Sequence, residues 1–337
     1  MQKRKVAIIG CGAILNRHID AIKENADSYE LVAVCDIQEK IADSIGKKYK
    51  VPAFYSIDDC LEKSDANFYA IVTPNYLHYE QAKKCIKMSK DVLIEKPASM
   101  KTNELQDLVR LAKEKKVNAY CVLQVRLNKS VSVVKDCIDQ NLLGKIRGVS
   151  LIQRWQRPIE YFSGWRAIPE MGGGTLHEVG IHYIDIMQYL MGVPKIDAAK
   201  TYNTKHKDVE IEDTVYSILD FGDFGGTLEV TIAAEPQNLE CSLSILGSNG
   251  YLKLGGKALN LLESYNFLSY GAKKTFEHIL SQYENVQNLA PNNYGSYLGS
   301  CPNHDDLYRN IDKFNLNNAV NSLSIIQEIY KKSGRDY

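Results

Sequence analysis

The stretch Val6-Ala-Ile-Ile-Gly10-Cys-Gly12-Ala-Ile-Leu15 carries a short, wholly apolar run straight into two glycines one residue apart. An apolar run of this length that ends in a Gly turn reads as a strand buried on both faces, as strands of parallel sheets are. Gly10 permits a tight strand-to-helix turn, and Gly12 lets the backbone approach a pyrophosphate held at the N-terminus of the next helix. Ala13 and Ile14 complete the turn and belong to the same candidate cradle. Leu15 stands where this fingerprint normally has a third Gly or Ala, so the match is incomplete and the neighbouring sequence has to support it.

It does so first by rhythm. Apolar runs at Val6–Ile9, Leu31–Cys35, Phe68–Val72, Asp91–Ile94 and Asn118–Val122 alternate with helical patterns near 14–25, 38–49, 57–63, 77–88 and 102–115. Strand–helix alternation of this kind predicts an α/β, doubly wound parallel sheet, a Rossmann-type domain over residues 1–122. Asp36 ends the second run, 24 residues past Gly12, where a carboxylate hydrogen-bonds a ribose 2′-hydroxyl and repels a 2′-phosphate. NAD is therefore expected rather than NADP. Ligands of open α/β sheets gather at the carboxyl ends of strands. That places Thr73, Asn75 and His78 after the fourth run, and Glu95 and Lys96 after the fifth, among the candidate site residues.

Beyond residue 123 the pattern changes to longer polar–apolar alternation at 145–156, 197–206, 213–221, 226–234, 239–247 and 250–255. This predicts an α+β domain over 123–315 with an open, mainly antiparallel sheet. Helices are expected near 131–141 and 174–191, an irregular segment over 269–303, and a closing helix near 316–332 within a 316–337 element that packs back on the body. A half-exposed sheet of this size predicts a homo-oligomer, dimer or tetramer.

The chain has 337 residues, long enough for two cores, with 45% hydrophobic and 24% charged residues. Lys+Arg and Asp+Glu balance at 41 each, so no net field recruits nucleic acid or anionic lipid. The apolar run after Met1 is too short for a signal-peptide core, and no stretch approaches a membrane span, so a cytoplasmic protein is expected. None of the eight cysteines forms a CxxC pair, which predicts buried free thiols rather than disulfides or structural zinc.

On the helix near 174–191, Glu178 and His182 are four apart and share a face, with Asp185 three further on. His177 and His182 are five apart, about 140° around an α-helix, a poor arrangement for one metal ion, so none is expected. Alcohol oxidation needs a base for the hydroxyl proton while hydride leaves to a nicotinamide. His182 is the favoured base, with Lys96 stabilising the developing alkoxide, and Lys96 as base is the alternative. Arg126, Arg157 and Arg166 are candidate phosphate clamps, and Tyr161 and Trp165 candidate stacking surfaces.

These residues together resemble the glucose–fructose oxidoreductase / inositol dehydrogenase (Gfo/Idh/MocA) family. The resemblance is carried by Gly10-Cys-Gly12 with His18, Asp36, Thr73-Pro-Asn75 with His78, Glu95-Lys96-Pro97, and Gly172-Gly-Gly174 followed by Gly180-Ile-His182-Tyr-Ile-Asp185. It implies a nicotinamide cofactor in the first domain, a sugar or polyol against the second domain's sheet, and Lys96 and His182 at the reacting carbon. A narrower resemblance, to UDP-N-acetyl-2-amino-2-deoxyglucuronate 3-dehydrogenases, rests on Gln124-Val-Arg126-Leu-Asn128 and on Trp155-Gln-Arg157-Pro with Tyr161 and Trp165-Arg166. It implies oxidation at C3 of a UDP-N-acetylhexosamine or its uronate, with Gln124, Trp165 and Arg166 toward the cofactor. Arg126, Asn128, Arg157, Tyr161, Glu178 and His182 would lie toward the substrate. Where that subgroup often has Asn-Gln, this chain has His177-Glu178, which leaves a non-acidic sugar open as a variant. An inositol, polyol or free-sugar dehydrogenase, and a non-catalytic NAD-binding regulator, are the competing readings.

Overall fold

The computed structural model describes residues 3–284, 286 and 304–335. The chain forms two compact units, Met1–Leu123 with Asn303–Leu323, and Gln124–Pro302 with Ser324–Tyr337.

The first unit is built on a six-stranded parallel sheet. Its strands are β1 (Arg4–Ile9), β2 (Tyr29–Cys35), β3 (Ala53–Phe54), β4 (Phe68–Ile71), β5 (Asp91–Ile94) and β6 (Ala119–Cys121), in the order β3-β2-β1-β4-β5-β6. This is the doubly wound order that brings ligands to the crevice between the first and fourth strands' ends. The crossovers are α1 (Leu15–Glu24), α2 (Glu39–Tyr49), α3 (Ile57–Lys63), α4 (His78–Lys87) and α5 (Thr102–Lys115). Val6, Ala7 and Ile8 of the central strand are fully buried, which is why that run reads as continuously apolar. β3 escapes sequence reading because it pairs with β2 at only two positions.

The boundary expected near residue 315 differs from the one observed. The segment from α10 (His304–Arg309) through the turns Ile311–Phe314 and Leu316–Ala319 belongs to the first unit. Leu307, Tyr308, Phe314 and Leu316 are buried there. Tyr29 Oη donates to the Tyr308 carbonyl at 3.0 Å, and Asn315 bridges Tyr120 of β6. Nothing local in the sequence announces this return, because its partners lie in β2 and β6.

The second unit has a seven-stranded sheet of β7 (Ile146–Arg154), β8 (Lys195–Tyr202), β9 (Thr214–Asp220), β10 (Gly225–Thr231), β11 (Glu240–Gly247), β12 (Gly250–Gly255) and β13 (Leu261–Phe267). The order is β13-β12-β11-β7-β10-β9-β8, antiparallel throughout except where β10 meets β7. One face packs Leu151, Val215, Leu228, Leu243 and Ile245 into a core shared with α6 (Lys129–Asp139) and α8 (Ile181–Met191), between which the chain forms the single turn α7 (Pro169–Gly172). Tyr216, Ile218, Leu246 and Tyr251 are exposed. Strand β13 lies beyond the last alternating segment read from the sequence, and helix α9 (Tyr270–Ser281) falls within 269–303, which reads as irregular from its Asn, Tyr, Ser and Gly content. α9 buries only Ala272, Phe276 and Ile279, a sparse stripe that composition averages away. Residue 285 and residues 287–303 of that expected segment lie outside the described residues. The closing helix is α11 (Val320–Lys332), preceded by the turn Leu316–Ala319. Among the described residues no helix is long and apolar enough to cross a membrane.

Candidate functional site

In the first unit the turn between β1 and α1 is shaped by two different uses of glycine. Gly10 has φ +105°, and a Cβ there would lie 3.0 Å from the carbonyl carbon and oxygen of Val72, so the turn admits no side chain. A Cβ on Gly12 would meet no atom of the chain within 4 Å. The need for glycine at position 12 is therefore not a need of the protein's own packing, which fits close approach of a ligand. Leu15 opens α1 and is buried, so the third position of the fingerprint serves the core. No acidic residue stands in the first turn of α1, so this helix N-terminus sets no negative charge against a pyrophosphate. Asp36 follows β2 and braces the turn: its Oδ2 accepts from Cys11 N at 2.8 Å and its Oδ1 from Gln38 N at 2.8 Å. Each carboxylate oxygen retains a second acceptor direction for a ribose hydroxyl. These residues fit a dinucleotide.

The next two strand ends are tied to one another. His78, at the start of α4, is fully buried, with Nε2 2.8 Å from the Thr73 carbonyl and Nδ1 2.7 Å from the Pro97 carbonyl. Burial pushes its pKa below the ordinary imidazole value, against the two carbonyls, which favour the charged form. The neutral ring has one N–H, so His78 donates to one of the two carbonyls and lies within 2.8 Å of the other. Thr73 Oγ1 donates to Gln81 at 2.7 Å, and Asn75 is buried in the short turn Asn75–Leu77. Lys96 follows β5 and precedes a cis peptide bond to Pro97.

Glu95 sits at the centre of a buried polar cluster. Its Oε1 accepts from Nε2 of His18 at 3.0 Å and from Nε2 of His304 at 2.9 Å, while its Oε2 accepts from the backbone N–H of Lys96 at 3.1 Å. Burial by itself would raise this carboxyl's pKa, but the two imidazoles hold it well below the usual range. His18, fully buried on α1, is pushed below its ordinary value by desolvation, and Tyr308 Oη lies 2.9 Å from its Nδ1. The ligand atoms of His18, Glu95 and His304 lie within 4.8 Å of one another, the only such trio among the described residues.

In the second unit the helix bearing Glu178 and His182 starts differently from a plain α-helix. Leu176–Gly180 forms a π-helical turn that leads into α8. Such turns recur at functional sites, and this one changes the angular spacing assumed for residues 177–182. Its entrance is held by a group that sequence reading passed over. Glu212 Oε1 accepts from Thr175 N at 2.7 Å and from Tyr330 Oη at 2.6 Å, and Tyr330 Oη accepts from Leu176 N at 2.9 Å. A Cβ on Gly174 would collide with both Tyr330 Oη and Glu212 Oε1, which explains that glycine. His177 is fully buried and stacks on the Tyr330 ring at 5.5 Å, while His182 is half-buried at the start of α8.

The remaining candidates divide by what already engages them. Arg126 makes a two-point pair with Asp185, both distances 2.7 Å, beneath the Tyr189 ring. Asn128 donates to the carbonyls of Ala258 and Leu259 at 3.0 and 3.4 Å. Arg157 is buried over Trp155 and donates to the Gln156 carbonyl at 2.7 Å. Glu178 is buried, accepting from Tyr161 Oη at 2.9 Å and Arg166 Nε at 3.2 Å, while the Arg166 guanidinium lies 4.4 Å from the Trp165 ring centroid. Gln124 is buried, and among the described residues none donates to its Oε1. The seven described cysteines are buried, with no disulfide among them; Cys301 lies outside the described residues.

Comparison with known proteins agrees with this arrangement in both units. The NAD-binding Rossmann-fold domain of the GFO_IDH_MocA oxidoreductase family matches residues 4–123, and the GFO/IDH/MocA C-terminal domain matches 131–253. Among solved structures, the WlbA dehydrogenase of Bordetella pertussis in complex with NADH and UDP-GlcNAcA is 27% identical, with a TM-score of 0.85 over 99% of this chain and 97% of that one. The WlbA dehydrogenase of Chromobacterium violaceum, with the same two ligands, is 26% identical, with a TM-score of 0.87 over 100% and 98%. Glucose-6-phosphate 3-dehydrogenase of Bacillus subtilis is 27% identical over 248 residues, 71% of this chain and 69% of the relative. With both domain signatures present in order and a strand-to-helix turn whose glycines fit a dinucleotide, the chain belongs to the Gfo/Idh/MocA family of NAD-binding oxidoreductases.

Proposed function

We propose that this enzyme oxidises the C3 hydroxyl of a UDP-N-acetylhexosamine or its uronate, giving a 3-keto nucleotide-sugar. The observation that carries the reading is the likeness, over essentially the whole chain, to two dehydrogenases held with NADH and UDP-GlcNAcA. A relative named for oxidation at C3 of another glucose-derived sugar supports the position of attack.

When bound, NAD supplies the hydride acceptor. Asp36 would hold the adenosine ribose, and the Gly10–Gly12 turn would hold the pyrophosphate. His182 takes the hydroxyl proton, and the Lys96 ammonium hydrogen-bonds the reacting oxygen as its charge grows. Of the two sugars, the non-acidic one is favoured by Glu178. The Arg166 charge is already matched by that buried carboxylate, so a C6 carboxylate would gain little from it and would meet a like charge. The exposed face carrying Tyr216, Ile218 and Leu246 is the surface through which we expect copies of the chain to associate.

The test is to incubate the enzyme with NAD and, separately, UDP-GlcNAc, UDP-GlcNAcA, glucose 6-phosphate and myo-inositol. NADH formation and the mass of the product, two hydrogens lighter than the substrate, are followed together. Turnover of a UDP-sugar supports the proposal. Turnover confined to inositol or the free sugar phosphate overturns it.

A further inference from the structure

Lys96 is flanked on both sides by residues that buried histidines hold. On its carboxyl side, the buried His78 ring sits between the Pro97 and Thr73 carbonyls, 2.7 and 2.8 Å away, and donates to one of them. On its amino side, His18 and His304 converge on Oε1 of Glu95, whose Oε2 accepts from the backbone N–H of Lys96 itself. Glu95 N also continues the ladder to β4 through the Ile71 carbonyl at 3.0 Å, so its backbone is pinned to the sheet. We infer that His304 and His18 are positioning residues for Lys96, acting through the Glu95 carboxylate, a role that rests on Lys96 serving at the reacting oxygen.

The physical argument is one of acceptor satisfaction. Glu95 is 8% exposed, so its carboxylate keeps its charge only if donors replace water. Two imidazole N–H groups on Oε1 fix the position of that oxygen, and a rigid planar carboxylate then fixes Oε2. The bond from Lys96 N to Oε2 settles the direction in which the chain leaves β5, and with it where the Lys96 side chain begins. The tautomers follow from the partners. Nε2 of His18 carries the hydrogen toward Glu95, so in the neutral ring Nδ1 accepts from Tyr308 Oη. Tyr308 is held in turn by Tyr29 through its carbonyl.

His304 reaches Glu95 from 209 residues further along the chain, on a short helix, α10, that serves the first unit. Tyr308, four residues on, completes the support of His18 from the same helix. The return of this segment therefore does more than cover apolar surface: it brings one of the two donors on Oε1 and the hydroxyl that orients the other. Remove an Oε1 donor and the carboxylate can rotate, releasing the Lys96 N–H. A displacement of about 1 Å at a reacting group costs up to about a hundredfold in rate.

The experiment compares His304→Ala with His304→Gln, whose side-chain amide can place an N–H near the position of the imidazole Nε2. Tyr308→Phe is the milder probe if the Ala variant fails to fold. For each, kcat and KM for the best UDP-sugar, NAD affinity by protein fluorescence, and the melting temperature are measured. The Lys96→Ala and Lys96→Ala/His304→Ala variants are run alongside. Expected results are a kcat lowered about 10–100-fold in His304→Ala, with NAD affinity and KM nearly unchanged, partial recovery in His304→Gln, and no further loss when His304→Ala is added to Lys96→Ala. A His304→Ala or Tyr308→Phe enzyme with parental kcat, beside a Lys96→Ala enzyme that has lost turnover, overturns the brace while leaving the role of Lys96 intact. A Lys96→Ala enzyme that retains turnover overturns the catalytic reading on which the brace depends.

Discussion

Replacing Arg126 with Met decides whether this arginine supports the fold or grips a ligand. Its guanidinium meets Asp185 at two points, both 2.7 Å, with side-chain exposures of 11% and 1%. Breaking such a pair from one side costs about 3–5 kcal/mol, because the remaining charge is buried without its partner. Gln188 Nε2, 3.2 Å from Asp185 Oδ1, still donates, which places the expected loss near the lower end, about 3 kcal/mol. For a unit of this size each kcal/mol moves the melting temperature by about 2–4 °C, so a fall of about 6–12 °C is expected. Adding Asp185→Leu removes the stranded carboxylate, and the double variant should regain most of the loss. Scanning calorimetry of the full chain, with and without NAD, measures the shift, and initial rates give KM for the UDP-sugar. The reasoning is refuted if Arg126→Met melts within about 1 °C of the parent while KM rises about tenfold. That pattern would make Arg126 a substrate contact.

The pH dependence of stability has a definite sign. Burial depresses the pKa of both His18 and His78 below 6.5, so the unfolded chain binds more protons just under that value, and stability should fall as pH drops below about 6.5. The depressed Glu95 carboxyl adds a further loss only at lower pH, below its ordinary 4.5. Melting temperatures between pH 5 and 8 check this, and a flat profile across that range contradicts it. Asp36→Ala should raise KM for NAD by about 10–100-fold, the loss of one charge-assisted hydrogen bond, and weaken discrimination against NADP; cofactor titration measures both. Gly174→Ala should destabilise the enzyme by about 2 kcal/mol through overpacking against Tyr330 and Glu212, and lower kcat because that contact seats the helix bearing Glu178 and His182. Denaturant unfolding and steady-state rates test the two halves of that statement separately.

Most of the first unit is legible in the linear chain because its signals are local. Continuous apolar runs mark β1, β4 and β5, periodic stripes mark α1 and α5, and Gly10 and Asp36 sit at strand ends where a dinucleotide is met. Six strands of the second unit show themselves by alternation for the same reason. What escapes is whatever depends on partners far along the chain. The capping of the π-helical turn by Glu212 and Tyr330 and the pairing of Arg126 with Asp185 are contacts between distant segments. Local periodicity carries no record of such contacts, since hydrophobic pattern specifies which side of an element is buried and not what it is buried against. Glu95 shows the division most clearly. Its place at the end of an apolar strand, one residue before Lys96, marks it as a site residue from sequence alone. That its charge is held by His18 and His304, rather than left for a ligand, was decided only when α10 folded back onto α1, because a buried carboxylate takes its donors from whatever the tertiary structure brings within hydrogen-bond reach.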